Sequence, residues 1–445
     1  MFMEDQHAKL RPNLSTMNGV MVIIGVVIGI GIFKTPSIVA SNVNSEWAFM
    51  AAWLLGGLIT LIGALCYAEL AAAYPHSGGE YHFLRQAFGR PVAILFGWAR
   101  GTVIQTGAIA AVAFVFGDYA TQIVRLGDHS VAIHAAMSIS LLTALNYLGT
   151  PQSRNFQTVL TVLTLLAMLA VVLAGFVVVP TEPEPIRESA STSAFGLAMI
   201  LVLVTYGGWN EAAYLSAEVE NPERNMARVL VIGTVSLVAI YAVVNYAFLH
   251  SMGLEALRRS DAVGADLMRR VAGDAGNFFL SLIVVVSALS TLNGTIFTGA
   301  RAYYALGQDF EAAKRFTAWN LRGENPANGL LLQGVISLCL VAFGATERSG
   351  FQAMVDYTAP VFWLFLLLVG FSLFVLRRKD PDRKLPFSVP LYPLTPIVFC
   401  ATCLYMIYAS VSYTGIGALV GLAALVAGLP LLLLAPATEN GATPS

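Results

Sequence analysis

The chain has 445 residues, 57% of them hydrophobic and 11% charged, with a formal net charge of -1. Ordinary soluble proteins carry about 25% charged residues, so this composition excludes a soluble globule. No polar segment holds a basic cluster, which removes nucleic acid as a partner. The expectation is an all-α integral membrane protein.

In chain order, residues 1–16 form a polar tail of mixed charge. The apolar segment after it is too long for a signal-peptide core and shows no cleavage pattern, so it is read as the first span. Apolar runs of spanning length fall at about 17–41, 47–73, 91–121, 131–148, 156–179, 194–219, 227–250, 277–305, 329–346, 351–377, 389–410 and 413–434. That makes about twelve transmembrane helices. The connections are short, so residues 17–434 read as one membrane domain, followed by a second tail at 435–445.

Two of these spans resist completion as helices. The first is interrupted by Gly25, Gly29, Gly31 and Pro36, and the sixth carries Val204-Thr205-Tyr206-Gly207-Gly208-Trp209-Asn210 at its middle. Glycine weakens helix propagation by about 1 kcal/mol relative to alanine, and in hydrocarbon a backbone group freed by unwinding needs another partner. Either cluster alone is explained by close helix packing. Paired interruptions in corresponding spans of two halves point instead to a midplane site in a secondary transporter. Five spans is an odd number, so repeats at about 17–179 and 194–377 enter the membrane from opposite sides: a 5+5 inverted repeat with broken helices 1 and 6. The last two helices, about 389–434, fall outside it and serve packing or dimer contact.

Lys9, Arg11, Arg85, Arg90, Arg377, Arg378, Lys379 and Arg383 fall on one side of this topology, and fewer cations, such as Arg125 and Arg187, on the other. The positive-inside rule then places both termini in the cytoplasm, which suits a multi-pass protein of the plasma membrane. On the outer side, Gly253–Gly276 spaces Leu254, Leu257, Leu267 and Val271 as a short amphipathic helix, either a lid or a solvated connector. Cys66, Cys339, Cys400 and Cys403 lie in apolar segments without disulfide or zinc spacing. The six histidines are scattered, and neither a Gly-x-Ser-x-Gly elbow nor a His-Glu-x-x-His motif occurs, so no metal, cofactor or enzymatic activity is expected.

Gly29-Ile30-Gly31-Ile32-Phe33, Tyr67-Ala68-Glu69-Leu70, Tyr74-Pro75 and Ser77-Gly78-Gly79-Glu80-Tyr81 resemble the signature of the amino acid, polyamine and organocation permease superfamily. Tyr206-Gly207-Gly208-Trp209-Asn210, Glu218-Val219-Glu220-Asn221-Pro222-Glu223-Arg224-Asn225, and Asn293-Gly294 before Arg301 are similar to its L-type amino-acid transporter branch. The resemblance covers nearly the whole chain. It implies the fold of the sodium-coupled leucine transporter type and movement of amino acids by alternating access. It also implies that Asn210 and Asn293 line the substrate or its coupling network; for Asn293 a hydrogen bond to another helix is the equal alternative. In many relatives an aromatic stands where this chain has Val204, and a lysine where it has Thr164.

An α-amino acid offers a carboxylate and an ammonium. Amides at a half-helix N-terminus suit the anion, which assigns Gly31, Ile32 and Phe33 to the carboxylate, with Gly29 and Ile30 lining the same substrate site. Carbonyls of the second break suit the ammonium, which assigns Val204, Thr205 and Gly207 to it, with Tyr206 beside them. For coupling, the hydroxyls of Thr164, Ser290 and Thr291 either hold a sodium ion or act as neutral spacers in a uniporter or exchanger; a proton is the other candidate. Lys34 and Glu211 each directly follow a break, and charges there are costly, so they are expected to pair and to act in coupling or gating. A polyamine or other organocation permease is the alternative, favoured if Glu211 is not neutralised; a channel or receptor is the reading from another class. Substrate preference and oligomeric state are not legible.

Overall fold

The computed structural model describes residues 15–28, 31–76, 78–148, 154–177, 192–216, 219–309, 314–315, 319–320, 325–412 and 416–434. The described chain is helical apart from one antiparallel pair of two-residue strands, Trp319–Asn320 with Asn325–Pro326. The helices are α1 (Thr16–Val27), α2 (Gly31–Ser41), α3 (Glu46–Ala73), α4 (Gly79–Phe88), α5 (Arg90–Ala99), α6 (Gln105–Ile123), α7 (Ser130–Leu148), α8 (Arg154–Val177) and α9 (Thr192–Thr205). They continue with α10 (Pro222–Arg258), α11 (Val263–Asp309), α12 (Ala327–Gly344), α13 (Gly350–Lys379), α14 (Leu394–Ser412), α15 (Ile416–Val426) and α16 (Pro430–Leu434).

Among the described residues eight helices are long and apolar enough to cross a membrane, and α1 with α2, bent by 51° at their break, makes a ninth. Local chemistry sets several starts. Ser15, Ser45 and Ser349 accept hydrogen bonds from the amides of Asn18, Ala48 and Gln352, the N-cap arrangement that satisfies an otherwise unpaired donor. Pro222 opens α10, where its missing N–H costs nothing.

The third span is not one regular helix. Between α5 and α6, Arg100–Ile104 adopts π-helical geometry. Its displaced carbonyls find tyrosines from other helices: Tyr303 donates to Gly101 O, and Tyr357 donates to Thr102 O at 2.9 Å. Buried backbone at membrane depth is tolerated on that condition.

The expected outer amphipathic segment is two arms rather than one helix. Gly253 (φ 73°) turns the end of α10, and α11 starts at Val263 with a non-helical turn at Ala272 and Gly273. Leu254, Leu257 and Leu267 are buried there, while Val271 is exposed.

The two interrupted helices cross in opposite senses. The segment after the first break, α2, packs on α9, the segment before the second; α1 packs on the 3-10 stretch Trp209–Leu215 that follows the second. Helix α10 lies against α1, α2 and α3 and backs the crossing.

Candidate functional site

At the crossing, the hydroxyls of Thr35 and Thr205 are 2.7 Å apart, and Thr205 Oγ1 also donates to Leu201 O. A Cβ on Gly31 would come within 3.3 Å of Thr205 Cγ2, so a side chain at residue 31 would press on the facing segment. Gly208 (φ 104°) makes the turn into the 3-10 stretch in a conformation that L side chains rarely adopt.

Gly31, Ile32 and Phe33 form the first turn of α2, where helix geometry provides no carbonyl four residues back for their amides. Gly29 and Ile30 lie outside the described residues. The expected ammonium carbonyls are partly engaged: Val204 O accepts from the Gly207 amide at 2.9 Å, and Thr205 O lies 3.3 Å from the Tyr241 hydroxyl. Tyr206 is buried and donates to Trp53 O.

Several polar candidates turn out to join helices. Asn293 Oδ1 accepts from Asn146 Nδ2 at 2.7 Å, linking α11 to α7. Thr164 and Ser287 hydroxyls are 2.6 Å apart between α8 and α11, and Thr291 donates to Ser287 O. Ser290 is buried on α11. Asn210 gives its Nδ2 to Glu80 at 3.0 Å, and its buried Oδ1 has no partner among the described residues.

The expected pairing of Lys34 with Glu211 is not formed. Lys34 Nζ lies 3.0 Å from Asp118 Oδ2 and donates to Asp261 O at 3.1 Å. Glu211 receives both its hydrogen bonds, at 2.8 Å, from Arg100. The reason is directional: the crossing is antiparallel, so residues that follow the two breaks depart toward opposite ends of the bundle.

At the end where α2 terminates, Tyr119 donates to Phe33 O, and Arg258 donates to Ala40 O and Val43 O. The arm of α10 beyond Gly253 is thereby fastened over α2. At the other end Glu80 is the hub. It accepts hydrogen bonds from Tyr67 (2.6 Å), Asn210 (3.0 Å), Tyr214 (3.1 Å) and Arg100 (3.3 Å), so every side is occupied by a donor. Arg100 also lies 4.5 Å from the Tyr214 ring centroid. Burial pushes the Glu80 carboxyl above the ordinary glutamate range, against the opposing pull of Arg100 and of hydrogen bonds from Tyr67 and Asn210. Two carboxylates thus share one guanidinium.

Beside this hub His76 and His82 stack with ring centroids 4.2 Å apart, and the His76 amide and carbonyl both bond Ser216 Oγ. Burial lowers both imidazoles, His82 to about 4. A further recess, about 190 Å³, lies between α3 and α13. Its polar lining is already paired: Glu69 takes two hydrogen bonds from Arg377, and Val389 N donates to Glu69 as well. No cluster of His, Cys, Asp and Glu suited to a metal occurs among the described residues.

Sequence reasoning left Asp118, Tyr241 and Thr35 without a role and gave none to Glu80 or Arg100. A signal existed for Arg100 and Asp118, since charges inside an apolar run need partners. None existed for Tyr241.

The model of the amino acid permease family matches residues 14–423. The chain is 29% identical over 418 residues to a b(0,+)-type amino acid transporter 1 of Rattus norvegicus, covering 92% of this chain and 84% of that protein. It is 26% identical to the cystine/glutamate transporter of Homo sapiens, covering 93% and 83%. It is 25% identical to the serine/threonine exchanger SteT of Bacillus subtilis, covering 95% and 96%.

Proposed function

The chain belongs to the amino acid permease family, a family of multi-pass membrane transporters rather than enzymes, and from that premise we propose that it moves amino acids across the cytoplasmic membrane by alternating access around the crossing of its two interrupted helices. The observation that carries this reading is the crossing itself, with charged contacts at both of its ends. In this reading about twelve helices form inverted repeats over 17–179 and 194–377, helices over 389–434 stand outside them, and the tails 1–16 and 435–445 are cytoplasmic.

The amides of residues 29–33 hold the substrate carboxylate, and the carbonyls of Val204, Thr205 and Gly207 receive its ammonium, with Tyr206 lining the same space. Asn210 and Asn293 border it while bonded to Glu80 and Asn146. Lys34 with Asp118 fastens the outer side, and Arg100 with Glu80 and Glu211 fastens the inner side. Each open state breaks one set and keeps the other. The exchanger mode is supported by the likeness to the serine/threonine exchanger of B. subtilis, and Thr164, Ser290 and Thr291 act as neutral spacers in it rather than as sodium ligands. An organocation substrate is disfavoured because both Glu211 oxygens are engaged by Arg100 rather than open to a ligand cation.

Uptake of a panel of labelled amino acids by purified protein in liposomes tests the reading. Saturable uptake that accelerates with unlabelled amino acid inside, independent of sodium and proton gradients, is expected. Preference for a polyamine over every amino acid, or single-channel current, would overturn it.

A further inference from the structure

Where α13 ends its span, Arg377-Arg378-Lys379-Asp380-Pro381-Asp382-Arg383-Lys384 sets five cations against two acids. Three of the five are committed to other helices. Lys379 Nζ donates to Ala87 O at 2.8 Å and Arg383 Nε to Ala73 O at 2.9 Å, so these cations sit at the C-termini of α4 and α3, which favour positive charge. Arg377 pairs with Glu69 of α3. Arg378 and Lys384 are exposed and have no partner among the described residues.

These bonds do not exhaust the two guanidiniums. Arg377 uses Nε and Nη2, on Glu69 and Ser388, and Arg383 uses Nε and Nη1, the latter on Asp380. An arginine carries five N–H donors, and here Arg377 Nη1 and Arg383 Nη2 have no hydrogen-bond partner among the described residues. Each guanidinium is held flat against a ring, Arg377 at 3.8 Å from the Tyr392 centroid and Arg383 at 3.9 Å from that of Tyr74. Stacking covers the face and leaves the edge available. Both arginines line the recess of about 190 Å³ between α3 and α13, whose apolar wall is Leu70, Ala73, Leu373, Leu376 and Leu385.

A charged edge over an apolar wall suits an amphiphile. Phe371, Phe374 and Tyr392 run in sequence, with ring centroids 6.4 and 5.7 Å apart, from the span to the face of Arg377, and Leu391 and Leu394 are exposed beside Tyr392. A free anion would gain nothing from that path. The cations left over at Arg378 and Lys384 favour a headgroup with net negative charge, by about fivefold in affinity for each cation near the membrane surface.

We propose that the recess between α3 and α13 binds one anionic phospholipid, whose phosphate accepts hydrogen bonds from Arg377 Nη1 and Arg383 Nη2 while its chains lie along Phe371 and Phe374. The lipid ties α3 to α13 at the membrane surface.

The test is native mass spectrometry of the purified full chain in detergent, titrated with phosphatidylglycerol or with phosphatidylcholine of the same acyl chains. The first phosphatidylglycerol should bind about tenfold more tightly than the first phosphatidylcholine. Arg383→Gln removes one cation and should reduce that preference to about twofold. Arg125→Gln removes an exposed cation beyond the far end of α6 and should preserve it. Leu385→Trp fills the recess from a half-buried position with every charge kept. It should bring phosphatidylglycerol down to the phosphatidylcholine level, so an Arg383→Gln protein that does not fold leaves the proposal open to refutation. A preference that survives Arg383→Gln or Leu385→Trp in folded protein, or that falls as far in Arg125→Gln, overturns the proposal. So does displacement of phosphatidylglycerol by inorganic phosphate at equal concentration, which would assign the recess to a free anion. Binding is read without transport, so failure here is distinct from failure of the transport reading.

Discussion

Lys34→Met should bias the protein toward the state open at the α2 end. The lysine ammonium sits 3.0 Å from Asp118 and 3.1 Å from Asp261 O, with side chains of Lys34 and Asp118 only 10% and 18% accessible. Removing one partner of a buried ion pair costs about 3–5 kcal/mol because the other charge is left uncompensated. The residual accessibility of Asp118 places this case at the lower end, about 3 kcal/mol. The pair exists only while α2 lies against α6, so the cost falls on that closed state. The open state should gain about 150-fold in relative population. A cysteine at the fully buried Thr35, introduced with the exposed Cys339 replaced by serine, reports this as its rate of modification by a membrane-impermeant thiol reagent. Lys34→Met should accelerate labelling by well over tenfold. Adding Asp118→Asn should return the rate to within about threefold of the parent, since two neutral groups leave no stranded charge. Folded Lys34→Met protein labelled at the parental rate, or a double variant as fast as the single one, would refute the reasoning.

Arg100→Met should abolish uptake at neutral pH, because Glu80 and Glu211 would then face each other without a cation. Activity should recover as pH falls: burial already raises the Glu80 carboxyl, and a raised carboxyl takes up its proton more readily in the closed state. Uptake of this variant that is flat between pH 7 and 5 would count against the shared-cation arrangement. His82 is held near 4, below an ordinary histidine, so its contribution to stability is present above about pH 6.5 and is lost progressively as pH falls toward 4. Melting temperature should decline through that window, and His82→Gln should flatten the decline. Val204 is half-buried at the crossing, so Val204→Phe should slow uptake of a bulky aromatic amino acid several-fold more than that of alanine. Equal slowing would place residue 204 away from the substrate.

Eight of the expected spans, and the interrupted first one, were legible because they depend on local composition; the expected total of about twelve exceeds the nine found among the described residues. The expected limits 47–73, 131–148 and 351–377 differ by no more than two residues from Glu46–Ala73, Ser130–Leu148 and Gly350–Lys379. The first break falls between α1 and α2, at the Gly29–Gly31 end of the expected cluster, whereas Gly25 and Pro36, also expected to interrupt the span, lie inside α1 and α2. What the sequence did not disclose is which end of the bundle each break faces. Lys34 and Glu211 look equivalent along the chain, each one step past an interruption, yet the antiparallel crossing sends them to different partners. Asn293 and Thr164 carried an equal ambiguity, since a polar side chain at midplane depth suits a ligand and a neighbouring helix equally. Tyr241 was invisible for another reason: its hydroxyl meets two carbonyls remote in sequence, Val27 O at 2.8 Å and Thr205 O at 3.3 Å.

The π-helical stretch at Arg100–Ile104 gives the third span a property that composition does not express. About five α-helical turns separate Arg100 from Asp118, so on a regular helix the two would lie along one stripe. A π-bulge widens the turn and accommodates about one extra residue, which rotates everything beyond it by roughly 100°. That offset sets which way Asp118, paired with Lys34 at one end of the span, faces relative to Arg100, paired with Glu80 and Glu211 at the other. Deleting one residue from 100–104 would restore an unbroken helix and turn Asp118 away from Lys34 while leaving every charge in the chain intact. The count of residues in this span is therefore as much a functional determinant as their identity.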